Sequence, residues 1–172
     1  RDSPQIRRHS FGFIGRVLGR EETVDNVVNE RLQVLWDHYW NDSGKNDAAE
    51  QPDSQLFGTW FISGKFDPQW SLDRLEQFTE VAPCPQPDYE VVKRLSHLAA
   101  SAPDQTFRII GTMIKCRAEH GGNSSWIRDS RPVFQAALAA SPATRQEARA
   151  LIDSLGRRGF LDFRDLLDDY SN

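Results

Sequence analysis

Apolar residues recur at steps of three and four along most of the chain, a spacing that places them on one face of an α-helix. The first such stripe follows Thr23, a predicted N-cap, and predicts a helix that runs to Trp40. Its apolar members are Val24, Val27, Val28, Leu32, Leu35, Trp36 and Tyr39. We therefore expect this helix to bury one apolar face.

Proline, glycine and small polar residues separate the later stripes and indicate where helices begin and end. Ser54 and Asp67 are predicted N-caps, and Gly64 stands where a left-handed residue ends a helix. Pro132 either kinks its helix or marks the first turn. The apolar positions of these helices include Leu72, Leu75, Phe78, Tyr89, Val92, Leu95, Phe107, Ile110, Ile114, Val133, Phe134, Leu138, Ala148, Leu151, Leu155, Phe160, Phe163 and Leu166.

Only one segment permits a strand in place of a helix. Residues 106–114 are rich in β-branched side chains, although the neighbouring segments all have a helical pattern. The pattern as a whole predicts an all-α fold with about eight or nine antiparallel helices and no sheet.

An imperfect internal echo predicts how these helices are arranged. The run from Ala99 to Pro103 contains Ser101, which recurs 40 residues later as Ser141 in a similar Ala-Ala-Ser-Pro run. A unit of about 40 residues made of two antiparallel helices is the period of HEAT and armadillo arrays. The echo therefore predicts a HEAT-like array. Chance similarity between two amphipathic helix pairs is the alternative.

The chain length of 172 residues is that of one ordinary domain, so we expect a single helical domain over 1–172. Within it, residues 1–22 are expected to form a basic leader and short helix, and the polar run 41–53 a mobile loop. The first 20 residues hold five arginines and one acidic residue, although the whole chain has a net charge of −4. Because the chain begins at Arg1 and its one methionine is Met113, we expect it to be a piece of a longer protein.

Composition excludes several classes of protein. No apolar run approaches the roughly 18 residues of a membrane-spanning helix, and the first residues lack the apolar core of a signal peptide. The acidic net charge leaves nucleic-acid binding dependent on a local basic patch. Two cysteines, Cys84 and Cys116, are too few for a disulfide framework, so we expect a reducing, cytoplasmic environment.

No residues are predicted to be catalytic, to hold a cofactor or to bind a metal. The four histidines, His9, His38, His97 and His120, lack the spacing of a zinc site, and no Cys-x-x-Cys pair is present. Cys84 lies between prolines without a basic neighbour and is expected to be inert.

Two further motifs are interpreted as packing features. Gly12, Gly15 and Gly19 do not have the order of a phosphate-binding loop and are expected to allow close helix contacts. The aromatic residues between positions 57 and 70 are expected to fill a junction between two short helices. Stacking on bases or on another ligand is their alternative function.

Four basic residues form the predicted partner-binding set. Arg108 and Lys115 are seven residues apart on one predicted helix, and Arg145 and Arg149 are four apart on another. Residues at these spacings share a helical face and would give the domain a basic surface for an acidic protein partner. A solvated face without a partner is the alternative.

Three segments resemble the C-terminal helical region of large bacterial proteins that carry a signal-transducing NTPase of the STAND type. The matching motifs are Phe13-Ile14-Gly15-Arg16 with Arg31-Leu32 and Leu35-Trp36; Phe57-Gly58-x-Trp60-Phe61-x-Ser63-Gly64-Lys65-Phe66-Asp67; and Ala148-x-x-Leu151-Ile152-Asp153-x-Leu155-Gly156-x-x-Gly159 with Phe163-Arg164-Asp165-Leu166-Leu167. The resemblance implies a HEAT-like helical array behind the NTPase and a parent that acts in defence against phage.

These observations together favour a non-catalytic scaffold or sensor module that binds a protein partner, or that holds its parent protein inactive. Two other functions stay open. One is a nucleic-acid-binding module built on the basic leader and exposed aromatic residues. The other is a small helical enzyme with a site at His38 or His97.

Overall fold

The computed structural model describes residues 4–41, 56–81, 85–119 and 125–169. Within these ranges the regular elements are nine α-helices and one 3₁₀ helix, and no strand is present. The all-α prediction is therefore confirmed. The α-helices are α1 Pro4–Leu18, α2 Asn26–Tyr39, α3 Phe57–Ser63, α4 Pro68–Val81, α5 Asp88–Leu98, α6 Pro103–Glu119, α7 Arg131–Ala139, α8 Pro142–Arg157 and α9 Arg164–Asp169, and the 3₁₀ helix is Ser125–Ser130.

The chain divides into two compact units, Arg1–Val91 and Val92–Asn172. We call them the first unit and the second unit. This division is finer than the single helical domain expected from the chain length. The predicted loop over 41–53 lies outside the described residues except for Asn41, which is in the last helical turn after α2.

The first unit is built around a cluster of aromatic side chains from four helices. Trp36 of α2 is completely buried, and its ring centroid lies 4.8 Å from those of Phe11 in α1 and Trp60 in α3. Phe57 of α3 and Phe78 of α4 also belong to the cluster, with their ring centroids 4.7 Å apart. Each aromatic side chain of this kind buries roughly 150–250 Å² of its surface, so this cluster dominates the core of the unit. Of the aromatic residues between positions 57 and 70, all but Trp70 are buried in this core, and Trp70 is half-buried.

Glycines allow α3 to pack closely against its neighbours. A Cβ atom added at Gly15 of α1 would lie 2.2 Å from Oγ1 of Thr59, and one added at Gly58 would lie 2.1 Å from the carbonyl oxygen of Gln86. Close helix packing is thus confirmed at Gly15. The same prediction is wrong for Gly19, where the atoms nearest to an added Cβ are backbone oxygens at 3.7 Å. Gly64 ends α3 with φ = 70°, the predicted left-handed conformation.

The predicted start of α2 is wrong by two residues. Asp25, not Thr23, is the N-cap, because its carboxylate accepts hydrogen bonds from the backbone N–H groups of Val27 and Val28. The single buried face predicted for this helix is also only partly correct. Trp36 and Tyr39 are buried, whereas Val27, Val28 and Leu35 are about half exposed. Asp67 does cap α4, accepting from the N–H of Trp70 at 2.8 Å, and Ser54 lies outside the described residues.

The second unit has its own core, to which α6, α7, α8 and α9 contribute. Phe134 of α7 is completely buried and lies between Phe107 of α6 and Phe163 before α9, with ring centroids 5.7 and 4.5 Å away. Residues 106–114, the possible strand, belong to α6. Helical packing of Phe107 and its neighbours therefore overrides their β propensity. Pro132 lies in the first turn of α7 and does not kink it.

Candidate functional site

A groove between α6 and α8 contains two of the four predicted partner-binding residues. Arg108 and Lys115 of α6 line this groove, which has a volume of about 500 Å³. The other residues lining it are Phe107, Gly111, Thr112, Glu147, Ala150 and Leu151. We call it the α6–α8 groove. All of its residues belong to the second unit.

The helical repeat of α6 explains why Arg108 and Lys115 share this groove. Positions seven residues apart return to nearly the same helical face and are separated by about 10 Å along the axis. Both side chains are exposed. Between them lies Gly111, which is itself buried. A Cβ atom added there would meet only Leu151, at 3.8 Å. The groove thus has cations at two positions, the carboxylate of Glu147 at a third, and a floor that includes Gly111 and Leu151.

Arg145 does not line the groove. Its Nε donates a hydrogen bond to the carbonyl of Leu138 at 2.8 Å, and its Nη2 donates to the carbonyl of Ala140 at 3.3 Å. These carbonyls belong to the C-terminal end of α7, where backbone oxygens lack helical partners. Arg145 therefore holds the turn between α7 and α8. Arg149 is half-buried on α8 and is also not one of the groove residues.

A hydrogen-bonded network joins the first turns of α6 and α8 beside the groove. Asp104 accepts hydrogen bonds from the hydroxyls of Thr144 at 2.5 Å and Ser141 at 3.1 Å. The Thr144 hydrogen bond, followed by those of Ser141 and by the charge of Arg108, lowers the pKa of Asp104 below its ordinary value of 3.8 and outweighs the opposing effect of desolvation. Ser141 also accepts from the N–H of Thr144 at 3.3 Å, which makes it the N-cap of α8.

The histidines do not converge with acidic residues at this groove. His9, His38 and His97 are all exposed, and none of them is a groove residue. His120 lies outside the described residues. Across the described ranges, no group of three or more His, Cys, Asp or Glu side chains is placed to hold a metal ion.

Cys116 of α6 is buried and takes part in a disulfide bond. The free thiol expected from a reducing compartment is therefore not what the structure shows at this position. Cys84, predicted to be inert, lies outside the described residues. The cytoplasmic location stays a prediction. None of the helices in the described ranges is both long enough and apolar enough to cross a bilayer.

Sequence reasoning missed a second groove, which lies between α1 and α2 in the first unit. It has a volume of about 370 Å³ and is bordered by exposed apolar side chains, among them Phe13 and Val28. We call it the α1–α2 groove. The available signal was the composition of α2, which carries large apolar residues on more faces than one core contact requires.

Comparisons of this chain with protein-family models, with curated proteins and with solved structures found no match. The resemblance to STAND-associated helical regions therefore rests on the sequence motifs alone.

Proposed function

We propose that this chain is a non-catalytic helical module that binds a protein partner through the α6–α8 groove. The partner is another protein or a neighbouring domain of a larger bacterial protein. The observation that carries the proposal is the placement of Arg108 and Lys115 on one groove, beside an apolar floor. Cations next to apolar surface suit a segment with acidic and apolar side chains.

The groove is formed by two helices that are fixed to each other at their first turns. The network of Asp104, Ser141 and Thr144 links α6 to α8, and Arg145 fixes the turn that precedes α8. A surface on such tied helices loses little conformational entropy when a partner binds. The walls are therefore suited to recognition by shape, with charge selecting the partner.

The sequence resemblance extends this proposal to the parent protein. In a STAND-type protein, a contact between this module and a neighbouring domain would hold the parent inactive until a signal displaces it. A role in phage defence belongs to the same proposal. It is supported by the motifs around Phe57, Leu151 and Phe163.

Two synthetic peptides test the charge preference of the groove. Both have about 18 residues and leucines at positions i, i+4 and i+7. The acidic peptide carries glutamates at its other positions, and the basic peptide carries lysines. We expect the acidic peptide to bind, and the double variant Arg108→Glu, Lys115→Glu to weaken its binding about tenfold or more. Fluorescence anisotropy measures both affinities.

The matched control is Lys93→Glu, which makes the same charge change at an exposed position of α5 in the second unit. It should leave the affinity of the acidic peptide nearly unchanged. Because Arg108 also faces Asp104, the single variant Lys115→Glu shows whether the loss arises without any effect on that network. Equal binding by the wild-type chain and the double variant would contradict the proposal.

A further inference from the structure

Helix α1 presents apolar side chains on two opposite faces. Phe11 is buried against the core of the first unit, whereas Phe13 is 56% exposed and Val17 is 37% exposed. Val28 of α2 is 46% exposed. Helices that are apolar on most faces are normally buried on most faces. The solvent side of α1 and α2 therefore has the composition of a contact surface.

These side chains border a concave feature. The residues lining the α1–α2 groove are Phe13, Ile14, Val17, Leu18, Glu21, Thr23, Val24, Asp25, Val28 and Leu32. Seven of these ten residues are apolar. The three polar ones lie in the connection between α1 and α2, so the groove has an apolar length and a polar end.

Two carboxylates line the polar end of the groove. Glu21 and Asp25 are both exposed, and the groove is lined by no lysine or arginine. Asp25 is held in place as the N-cap of α2, where its Oδ1 accepts from the N–H of Val27 at 2.8 Å. One cation of this chain also lies near this end, because the backbone carbonyl of Glu22 accepts from Nζ of Lys65 at 2.7 Å. Lys65 does not line the groove. Two carboxylates at one end of an apolar groove attract a partner with a cation at the matching position.

We propose that the α1–α2 groove binds an amphipathic α-helix of a protein partner. Apolar side chains at i, i+4 and i+7 of that helix lie along the groove, and a lysine or arginine lies beside Glu21 and Asp25. A lipid surface fits less well, because the groove is concave and its carboxylates repel anionic headgroups. This inference concerns the first unit alone and does not depend on the α6–α8 groove.

The basic peptide described above is the probe. We expect it to bind the full 172-residue chain, and we expect Phe13→Ala and Val28→Ala each to weaken this binding about tenfold. Glu21→Lys should weaken binding of the basic peptide more than either alanine variant does, and it should improve binding of the acidic peptide. Measurements are repeated in an Arg108→Gln, Lys115→Gln background, which removes the cations of the α6–α8 groove without adding carboxylates that would attract the basic peptide.

The matched control is Val34→Ala. Val34 is also on α2 and is 68% exposed, but it does not line the groove. It should leave binding of the basic peptide within about twofold of the wild-type value. Circular dichroism confirms that all variants stay folded.

Three results would overturn the proposal. The first is equal affinity for the two peptides in the background variant, or equal loss in Val28→Ala and Val34→Ala. The second is self-association that sedimentation detects and Phe13→Ala removes, which would make a second copy of the chain the occupant. The third is binding to phosphatidylserine-containing vesicles that Phe13→Ala removes, which would make the occupant a membrane.

Discussion

At the scale of single residues, two buried tryptophans in the same core differ in their hydrogen bonding. Nε1 of Trp60 donates to the carbonyl of Phe11 at 2.9 Å. Nε1 of Trp36 is equally buried and has no hydrogen-bond acceptor among the described residues. An indole N–H that is buried without an acceptor costs free energy, so replacing it by a carbon removes a penalty as well as volume.

We therefore expect Trp60→Phe to destabilise the protein more than Trp36→Phe, by about 1 kcal/mol. Both substitutions lose similar volume, so the difference between them reports the hydrogen bond. Denaturant unfolding monitored by circular dichroism gives the two free energies of unfolding. A larger loss in Trp36→Phe would show that the ring contacts of Trp36 outweigh the hydrogen bond of Trp60.

At the scale of helices, the shared network of α6 and α8 has a pH dependence of known sign. The pKa of Asp104 is lowered in the folded state, first by the hydrogen bond from Thr144. The carboxylate thus adds stability above its ordinary pKa of 3.8, and this contribution is lost as the pH falls through the lowered value. The network should therefore be weaker in acid than at neutral pH.

Asp104→Asn isolates this charge, because asparagine keeps the size and one neutral oxygen. We expect the variant to have a lower melting temperature than the wild-type protein at pH 7, and this difference in melting temperature to become smaller at about pH 3. Asp153→Asn, at an exposed position of α8, is the control and should show a small gap at both pH values. A gap for Asp104→Asn that does not change with pH would mean that its charge is not involved.

Helix periodicity alone predicted most elements, because residues spaced like Leu72, Leu75 and Phe78 can be buried together on one face only if the segment is helical. It failed where more than one choice satisfied the same pattern. Thr23 and Asp25 are both good caps, and only the backbone path selects Asp25. The exposed positions of α2 were missed because spacing shows that apolar residues share a face, and it does not show whether another helix covers that face.

At the scale of the whole molecule, the candidate sites were only partly predictable. Arg108 and Lys115 lie together because seven residues make nearly two helical turns, which is visible in the sequence. The hydrogen bonds of Arg145 to the carbonyls of α7 depend on how two helices meet, and no spacing within α8 reveals them. The α1–α2 groove likewise depends on which side of each helix the core occupies. The 40-residue repeat stays a prediction.

The glycine in the floor of the α6–α8 groove has a consequence for the whole protein. Gly111 lies in the middle of a helix, where alanine is favoured by about 0.5–1 kcal/mol. An added methyl group has room beside Leu151, so Gly111→Ala should raise the melting temperature. Because the methyl group also makes the floor of the groove shallower, the variant should bind the acidic peptide more weakly. Gly156→Ala, which meets no atom within 4 Å and lies outside the groove, should change only the melting temperature.

Unchanged peptide affinity in Gly111→Ala would show that the depth of the floor is irrelevant to recognition. If the affinity falls as expected, one added methyl group raises the melting temperature and lowers the affinity for the acidic peptide. Selecting variants of this protein for thermal stability alone would then tend to make the α6–α8 groove shallower.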